Sequence, residues 1–111
     1  MTGNEYQALA RRTQNGKLTK AKKADHAMFG MVAEVGEIAS IFQHAIQDGT
    51  GDRGNLSKEI GDLFWFIAEL CDVFGFSIDE IMQSNIDKLK KRYPEGFSEE
   101  RSVNRHSYGE D

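Results

Sequence analysis

Two pairs of carboxylates in this sequence share one spacing. Glu34 and Glu37 occur in AEVGEIASI, and Glu59 and Asp62 occur in KEIGDLFWFIAEL. Both stretches have the apolar spacing of helices that face a core, where a carboxylate without a partner costs several kcal/mol or takes up a proton. The repeated pattern therefore indicates that something compensates the charge of these acids.

Helical geometry places the first acid of each pair inside the apolar arc. Successive residues are rotated by about 100°, so Phe66 lies about 20° from Glu59, whereas Asp62 lies about 60° away at the edge of the arc. The same angles relate Glu37 to Glu34. If the two helices face each other, four carboxylates converge, and divalent cations would relieve their repulsion.

The expected metal is Mg²⁺, with Mn²⁺ as a substitute. Carboxylate oxygens are hard ligands, and no Cys or His accompanies these acids at ligand spacing. Gly36 and Gly61 are poor helix formers, so their position between the acids predicts the close approach of a helix or a ligand.

A third helix face carries polar groups that suit a polyphosphate. Asn85, Lys88 and Arg92 fall within about 60° of one another on a helix, beside Ile81 and Leu89. Cations and amides of this kind hold phosphate oxygens and sugars. An acidic metal cluster facing such a surface is typical of a nucleotide site.

These side chains must be positioned by helices, because no long alternating run predicts a strand. The loop DGTGDRGN, a basic connector KLTKAKKAD and Pro94 separate the apolar stretches. We predict an all-α, four-helix bundle-like fold. The domain is expected to span residues 1–97, followed by a polar tail over 98–111, with helices at about 2–13, 25–47, 56–74 and 78–92.

Composition excludes several classes of protein. The 111 residues are 39% hydrophobic and 29% charged, which is ordinary for a folded globular chain. The net charge is −4 and the Lys and Arg residues are dispersed, so a nucleic-acid polymer is not an expected partner. No apolar run predicts a membrane span or a secretion signal, and Cys71 fits a buried position, so we expect a cytoplasmic protein.

With these residues in place, the chain resembles the MazG-like family of the all-α nucleoside triphosphate pyrophosphohydrolases. The family signature, ExxE followed by ExxD, reads Glu34-Val-Gly-Glu37, a 21-residue spacer and Glu59-Ile-Gly-Asp62. The surrounding HAMFGMVAEVGEI, LSKEIGDLFWFIAEL and SNIDKLKKRYPEGF also match. The resemblance covers almost the whole chain.

The resemblance implies a Mg²⁺-dependent hydrolase that cleaves a nucleoside triphosphate between its α- and β-phosphates to a monophosphate and pyrophosphate. It implies that four acids are the catalytic residues and metal ligands: Glu34, Glu37, Glu59 and Asp62. One of them, or an ion that they hold, would activate the attacking water, and a glutamate is our preferred interpretation. It also implies a set of substrate-binding residues: Asn85, Lys88, Arg92 and Tyr93.

The sequence leaves open the roles of two histidines and the identity of the substrate. Many relatives have a lysine where this chain has Gln43-His44, and a surface position is the preferred interpretation of His44. His26 either lines the pocket or caps its helix. A deoxynucleotide, a noncanonical nucleotide and an alarmone all remain candidate substrates.

The third helix predicts association between copies of the chain. Phe64, Trp65 and Phe66 make it apolar nearly all round, more than a four-helix monomer buries easily. We therefore expect a homo-oligomer, either a dimer or a tetramer, that completes the fold. Trp65 is expected at the interface between copies.

Two alternative functions also fit parts of the sequence. DGTGDRGNLSKE resembles an EF-hand calcium loop through Asp48, Asp52 and Glu59, although Arg53 stands where glycine is required. The second alternative is a catalytically silent helical interaction module, against which the presence of all four acids argues.

Overall fold

The computed structural model describes residues 1–105, and it confirms the all-α class. Five helices occur in this part of the chain: α1 (Gly3–Arg11), α2 (Lys20–Asp48), α3 (Arg53–Phe74), α4 (Ile78–Arg92) and α5 (Glu99–Val103). Four of them correspond to the predicted helices. The fifth lies in the predicted polar tail, whose residues 106–111 fall outside the described residues.

Capping residues explain where the helices begin and end. Thr2 and Glu5 form a capping box at the start of α1. Thr19 accepts a hydrogen bond from the Lys22 amide and starts α2 inside the segment that we predicted as a connector. Gly75 ends α3 with φ of +70°, in the left-handed region that favours glycine.

The described chain divides into two compact units, Met1–Ser77 and a second that begins at Ile78. The first contains α1, α2 and α3, with α3 packed against both other helices. In the second, the Arg101 guanidinium donates to the carbonyls of Lys91 and Arg92 at the end of α4. The predicted domain boundary after residue 97 remains a prediction.

Asp72 on α3 anchors α1. Its carboxylate accepts hydrogen bonds from Gln7 (2.8 Å), Arg11 (2.8 Å) and Gln14 (2.6 Å). Burial alone would raise the pKa of Asp72, but the hydrogen bonds from these three side chains hold it below the ordinary value. The network therefore adds polar contacts that hold the N-terminal segment against α3.

Small residues allow α2 and α3 to pack closely. Ala27 and Ala68 are fully buried, and Cys71 is 6% exposed, as its apolar setting predicted. A Cβ at Gly30 would overlap the Phe66 ring, so only glycine fits there without a shift.

The glycines of the acidic motifs have a different environment from the one we predicted. A Cβ at Gly36 or at Gly61 would meet no atom within 4 Å in the described part of the chain. Within residues 1–105 no other helix approaches Gly36 or Gly61, so this part of the prediction is wrong. The close approach of α3 to α2 occurs at Gly30, against the Phe66 ring. Ligand approach at the two glycines remains a prediction.

Large apolar side chains of α2 and α3 stay exposed within one chain. The exposed fraction is 57% for Phe42, 88% for Ile46 and 57% for Phe64. Trp65 already has contacts within the chain, because its indole nitrogen donates to the Thr13 hydroxyl (2.7 Å) and its ring packs edge-on against Phe66. Its position at an interface remains a prediction. The candidate interface residues of α3 are therefore its exposed side chains, Ile60, Phe64, Ile67 and Phe74.

None of the helices within residues 1–105 combines the length and the apolar character that crossing a membrane would require.

The contact between Gly30 and Phe66 gives a direct test of helix packing. Gly30→Ala should lower the free energy of unfolding by roughly 1–3 kcal/mol, the usual cost of overpacking a core. Gly36→Ala is the matched control and should leave stability unchanged or raise it by up to about 1 kcal/mol through helix propensity. Urea denaturation of both variants measures the difference; equal stabilities would contradict the packing.

Candidate active site

Three of the four predicted acids come together between α2 and α3. Carboxylate oxygens of Glu34, Glu59 and Asp62 all lie within 4.8 Å of one another, with the first two partly buried and Asp62 exposed. No other group of three His, Cys, Asp or Glu side chains in the described part of the chain converges in this way. The packing of the two helices thus produces the cluster that the spacing of the acids predicted.

Glu34 has the most strongly perturbed environment of the cluster. A hydrogen bond to Glu59, burial, and the charges of Glu59, Asp62 and Glu37 together raise the pKa of Glu34 to about 7. Two carboxyl groups can share that hydrogen bond only while one of them carries a proton. The metal-free cluster therefore holds a proton at pH values where an ordinary glutamate has lost it.

The cluster has the properties of a site for a divalent cation. Oε2 of Glu34 is buried, and none of the described residues donates a hydrogen bond to it. A buried carboxylate oxygen without a donor is costly, and a cation supplies the missing partner. All three residues offer oxygen ligands, the donor type that Mg²⁺ and Mn²⁺ prefer.

Glu37 lies one helical turn beyond Glu34 and does not join the three-residue cluster. Its side chain is exposed and borders a cavity of about 490 Å³ together with His44 and Asn55. The charge of Glu37 nevertheless contributes to the raised pKa of Glu34. Its role as a metal ligand remains a prediction.

A second cavity of about 590 Å³ adjoins the acidic cluster and includes the side chains of Glu34 and Asp62 in its lining. Residues from three segments complete the lining: Thr13, Asn15, His26, Trp65 and Phe66. The sequence left two roles open for His26, lining the pocket or capping its helix. In the structure Thr19 caps α2, and His26 lines this cavity.

Sequence reasoning missed Glu69, the partner of His26. The Glu69 side chain is fully buried, and its Oε1 lies 2.6 Å from Nδ1 of His26. A signal was present, since Glu69 is an acid inside the apolar stretch FIAELCDVF. The partner could not be identified from the sequence because it lies 43 residues away.

The predicted phosphate-binding residues belong to the second unit. Asn85 and Lys88 are exposed on α4, and Arg92 is the last residue of that helix. The Arg92 guanidinium lies over the Tyr93 ring at 5.6 Å, and the Tyr93 ring contacts Phe97. Their binding roles remain predictions.

The loop acids serve the helix ends and do not form a calcium loop. Asp52 caps α3 by accepting from the Asn55 amide (3.0 Å), and Asp48 accepts from the Thr50 amide (3.0 Å). Because α3 already begins at Arg53, Glu59 lies within the helix and not at the end of a loop. His44 lies on the surface, as preferred from the sequence, 3.6 Å from Asp48.

Comparison with known families agrees with this geometry. Residues 23–97 match the family model described as the MazG nucleotide pyrophosphohydrolase domain. The chain belongs to the MazG family. The MazG match includes both acidic motifs and the whole of α4, and it supports a nucleotide pyrophosphohydrolase activity in general, with a nucleotide as the substrate.

A curated relative of this MazG chain is the "Gene 37 protein" of Mycobacterium phage L5. The two are 29% identical over 85 residues, which cover 72% of this chain and 75% of the phage protein. The name of the phage protein states no activity. No solved structure matches the chain significantly.

The raised pKa of Glu34 predicts how the stability of the metal-free protein depends on pH. Because folding raises this pKa, the folded state binds a proton that the unfolded state releases between its ordinary value, 4.5, and about 7. Glu34 thus contributes stability at low pH that is lost as pH rises through this window. Thermal melts in EDTA should show Tm falling from pH 4.5 to 7.

Glu34→Gln should remove most of this fall in Tm, and Mg²⁺ at pH 7 should raise the Tm of the wild type. Asp25→Asn, which neutralises an exposed acid on the same helix, is the control and should keep the pH dependence of the wild type. An unchanged pH dependence in Glu34→Gln would contradict the assignment.

Proposed function

We propose that the chain hydrolyses a nucleoside triphosphate between its α- and β-phosphates to a monophosphate and pyrophosphate, in a reaction that requires Mg²⁺. The observation that carries this proposal is the convergence of Glu34, Glu59 and Asp62, with a buried Glu34 oxygen that lacks a donor in the described residues. A deoxynucleotide or a noncanonical nucleotide is included among the candidate substrates. Membership of the MazG family supports the reaction class.

The acids of α2 and α3 would hold the metal. Glu34, Glu59 and Asp62 supply oxygens from both helices, and Glu37 would join them from the next turn of α2. When bound, Mg²⁺ offsets the charge of the phosphates and lowers the pKa of the attacking water. Mn²⁺ would substitute, since it prefers the same oxygen ligands.

A glutamate of the cluster would accept the proton of the attacking water. This step needs a carboxylate that is ionised at the working pH and held on a rigid element. Glu34 and Glu59 both meet the second condition, because they lie within long helices that pack against each other. Holding the base and the phosphate together reduces the entropy cost of the reaction.

The polar residues of α4 are proposed to bind the triphosphate. Lys88 and Arg92 would contact phosphate oxygens, and Asn85 would donate its amide to a phosphate or a sugar hydroxyl. The Tyr93 ring, which contacts the Arg92 guanidinium, would restrict the guanidinium and close the pocket.

A homo-oligomer, a dimer or a tetramer, is part of the proposal. Within one chain, exposed apolar side chains occur along both α2 and α3, whereas the fully buried apolar residues in the described part are alanines. Apolar surface of this extent is typical of a protein–protein interface. Burial of these helix faces between copies would supply the missing core.

Product analysis tests the reaction. The purified protein with Mg²⁺ and a panel of ribo- and deoxynucleoside triphosphates should release monophosphate and pyrophosphate together, as resolved by anion-exchange chromatography. EDTA should abolish turnover, and Glu59→Gln should lower kcat by at least about a hundredfold, as for loss of a metal ligand. Glu99→Gln, an exposed acid on α5, should retain activity. Diphosphate with orthophosphate, or no turnover, would refute the proposed reaction.

The oligomer is tested by charge placed on the exposed face of α3. Phe64→Glu should reduce the molar mass in light scattering, because a buried carboxylate without a partner would destabilise an interface there. Val103→Glu, at an exposed apolar residue of α5, is the control and should keep the mass of the wild type. A monomeric wild type, or an unchanged mass in Phe64→Glu, would contradict this part of the proposal.

A further inference from the structure

The cavity beside the acidic cluster is lined by aromatic side chains, as sites for flat aromatic ligands commonly are. Trp65 and Phe66 form an edge-to-face pair with ring centroids 5.1 Å apart, and Thr13, Asn15 and His26 add polar groups to the lining. Its volume, about 590 Å³, lies within the range usual for small-molecule pockets. Aromatic walls with a few convergent polar groups are typical of sites that bind nucleobases and sugars.

Glu69 has no evident role except through His26. It is the largest fully buried side chain among the described residues, and its second oxygen, Oε2, has no hydrogen-bond partner there. A buried carboxylate of this kind lowers stability relative to an apolar residue of similar size. Its one polar contact in the described chain is the 2.6 Å hydrogen bond to His26.

This contact fixes which nitrogen of His26 can meet a ligand. Pairing with a carboxylate, a hydrogen-bond acceptor, assigns the ring hydrogen of this contact to Nδ1 of His26. Nε2 is therefore the nitrogen left for a ligand, on a side chain that is 48% exposed and lines the cavity. The imidazole ring also packs against the rings of Trp65 and Phe66, with centroid distances of 6.1 Å and 5.6 Å, and these contacts further limit its orientation.

The two cavities beside the acids differ in chemistry. The proposed cleavage yields a nucleoside monophosphate and pyrophosphate, and these two products would need different surroundings. The cavity that Glu37 borders is lined mainly by polar side chains and contains no Trp, Tyr or Phe. The cavity with the aromatic pair is the better match for a nucleoside.

We propose that His26, oriented by Glu69, contacts the base or sugar of the substrate in the cavity formed with Trp65 and Phe66, and that it thereby sets nucleoside preference. This inference rests on the proposed pyrophosphohydrolase function. His26 is a substrate-binding residue under this proposal, and Glu69 is a positioning residue.

Steady-state kinetics with two ligands test the assignment. The first ligand is the preferred nucleoside triphosphate, and the second is inorganic tripolyphosphate, which has the phosphates but no nucleoside and is assayed as an inhibitor that competes with the nucleotide. His26→Ala should raise KM for the nucleotide roughly tenfold, the effect of one lost hydrogen bond with its packing, and change kcat much less. The inhibition constant of tripolyphosphate should not change, and Asp25→Ala on the same helix is the control.

The role of Glu69 is tested by two substitutions of similar size. Glu69→Leu removes the acceptor and should raise KM as His26→Ala does, whereas Glu69→Gln keeps an acceptor oxygen and should restore most of the affinity. A Glu69→Leu variant that melts like the wild type but has an unchanged KM would refute the positioning role. Combining Glu69→Leu with His26→Ala should add nothing further to KM, because both act on one contact.

The possible failures are distinguishable. A wild type that cleaves no nucleotide refutes the proposed function itself, and the inference with it. A wild type that is active while His26→Ala leaves KM unchanged refutes only the nucleoside contact. An equal loss of affinity for nucleotide and tripolyphosphate in His26→Ala refutes it as well, because His26 would then contact the phosphates.

Discussion

Repulsion among like charges is the constraint on which this structure depends. Two closely packed helices bring carboxylate oxygens of Glu34, Glu59 and Asp62 within 4.8 Å of one another. That closeness requires small residues such as Ala27 and Gly30 in the contact. The hydrogen bond to Glu59, burial and repulsion by the neighbouring acids together raise the pKa of Glu34 to about 7, so the cluster keeps a proton. The helix contact thus brings the charges together and forms the cluster that is proposed to hold the metal.

Much of this arrangement follows from the helical period. Because residues on one helix have fixed angular positions, the spacing of the acids predicted the convergence of Glu34 with Glu59 and Asp62. The same period placed Glu37 about 60° from Glu34, and in the structure Glu37 borders a different cavity. Angles on isolated helices predict which acids face a partner helix, but they do not predict how far an edge residue lies from the cluster.

Contacts between distant segments set the limit of sequence reasoning. The two histidines show it clearly, since His44 has a partner four residues away on its own helix, and His26 has one on another helix. Nothing in the sequence near His26 identifies Glu69, and nothing near Trp65 identifies Thr13, which lies 52 residues away. The early start of α2 was missed for a local reason, because a Lys-rich segment of low apolar content was interpreted as a connector.

The position of Cys71 has a practical consequence. It is the one cysteine of the whole sequence, it is nearly inaccessible, and burial raises the pKa of its thiol. Thiol reagents attack the thiolate, so modification of the folded protein must wait until the first unit opens. The rate of modification by a small disulfide reagent therefore measures how often that unit opens, and the native chain carries its own probe of local unfolding without an engineered label.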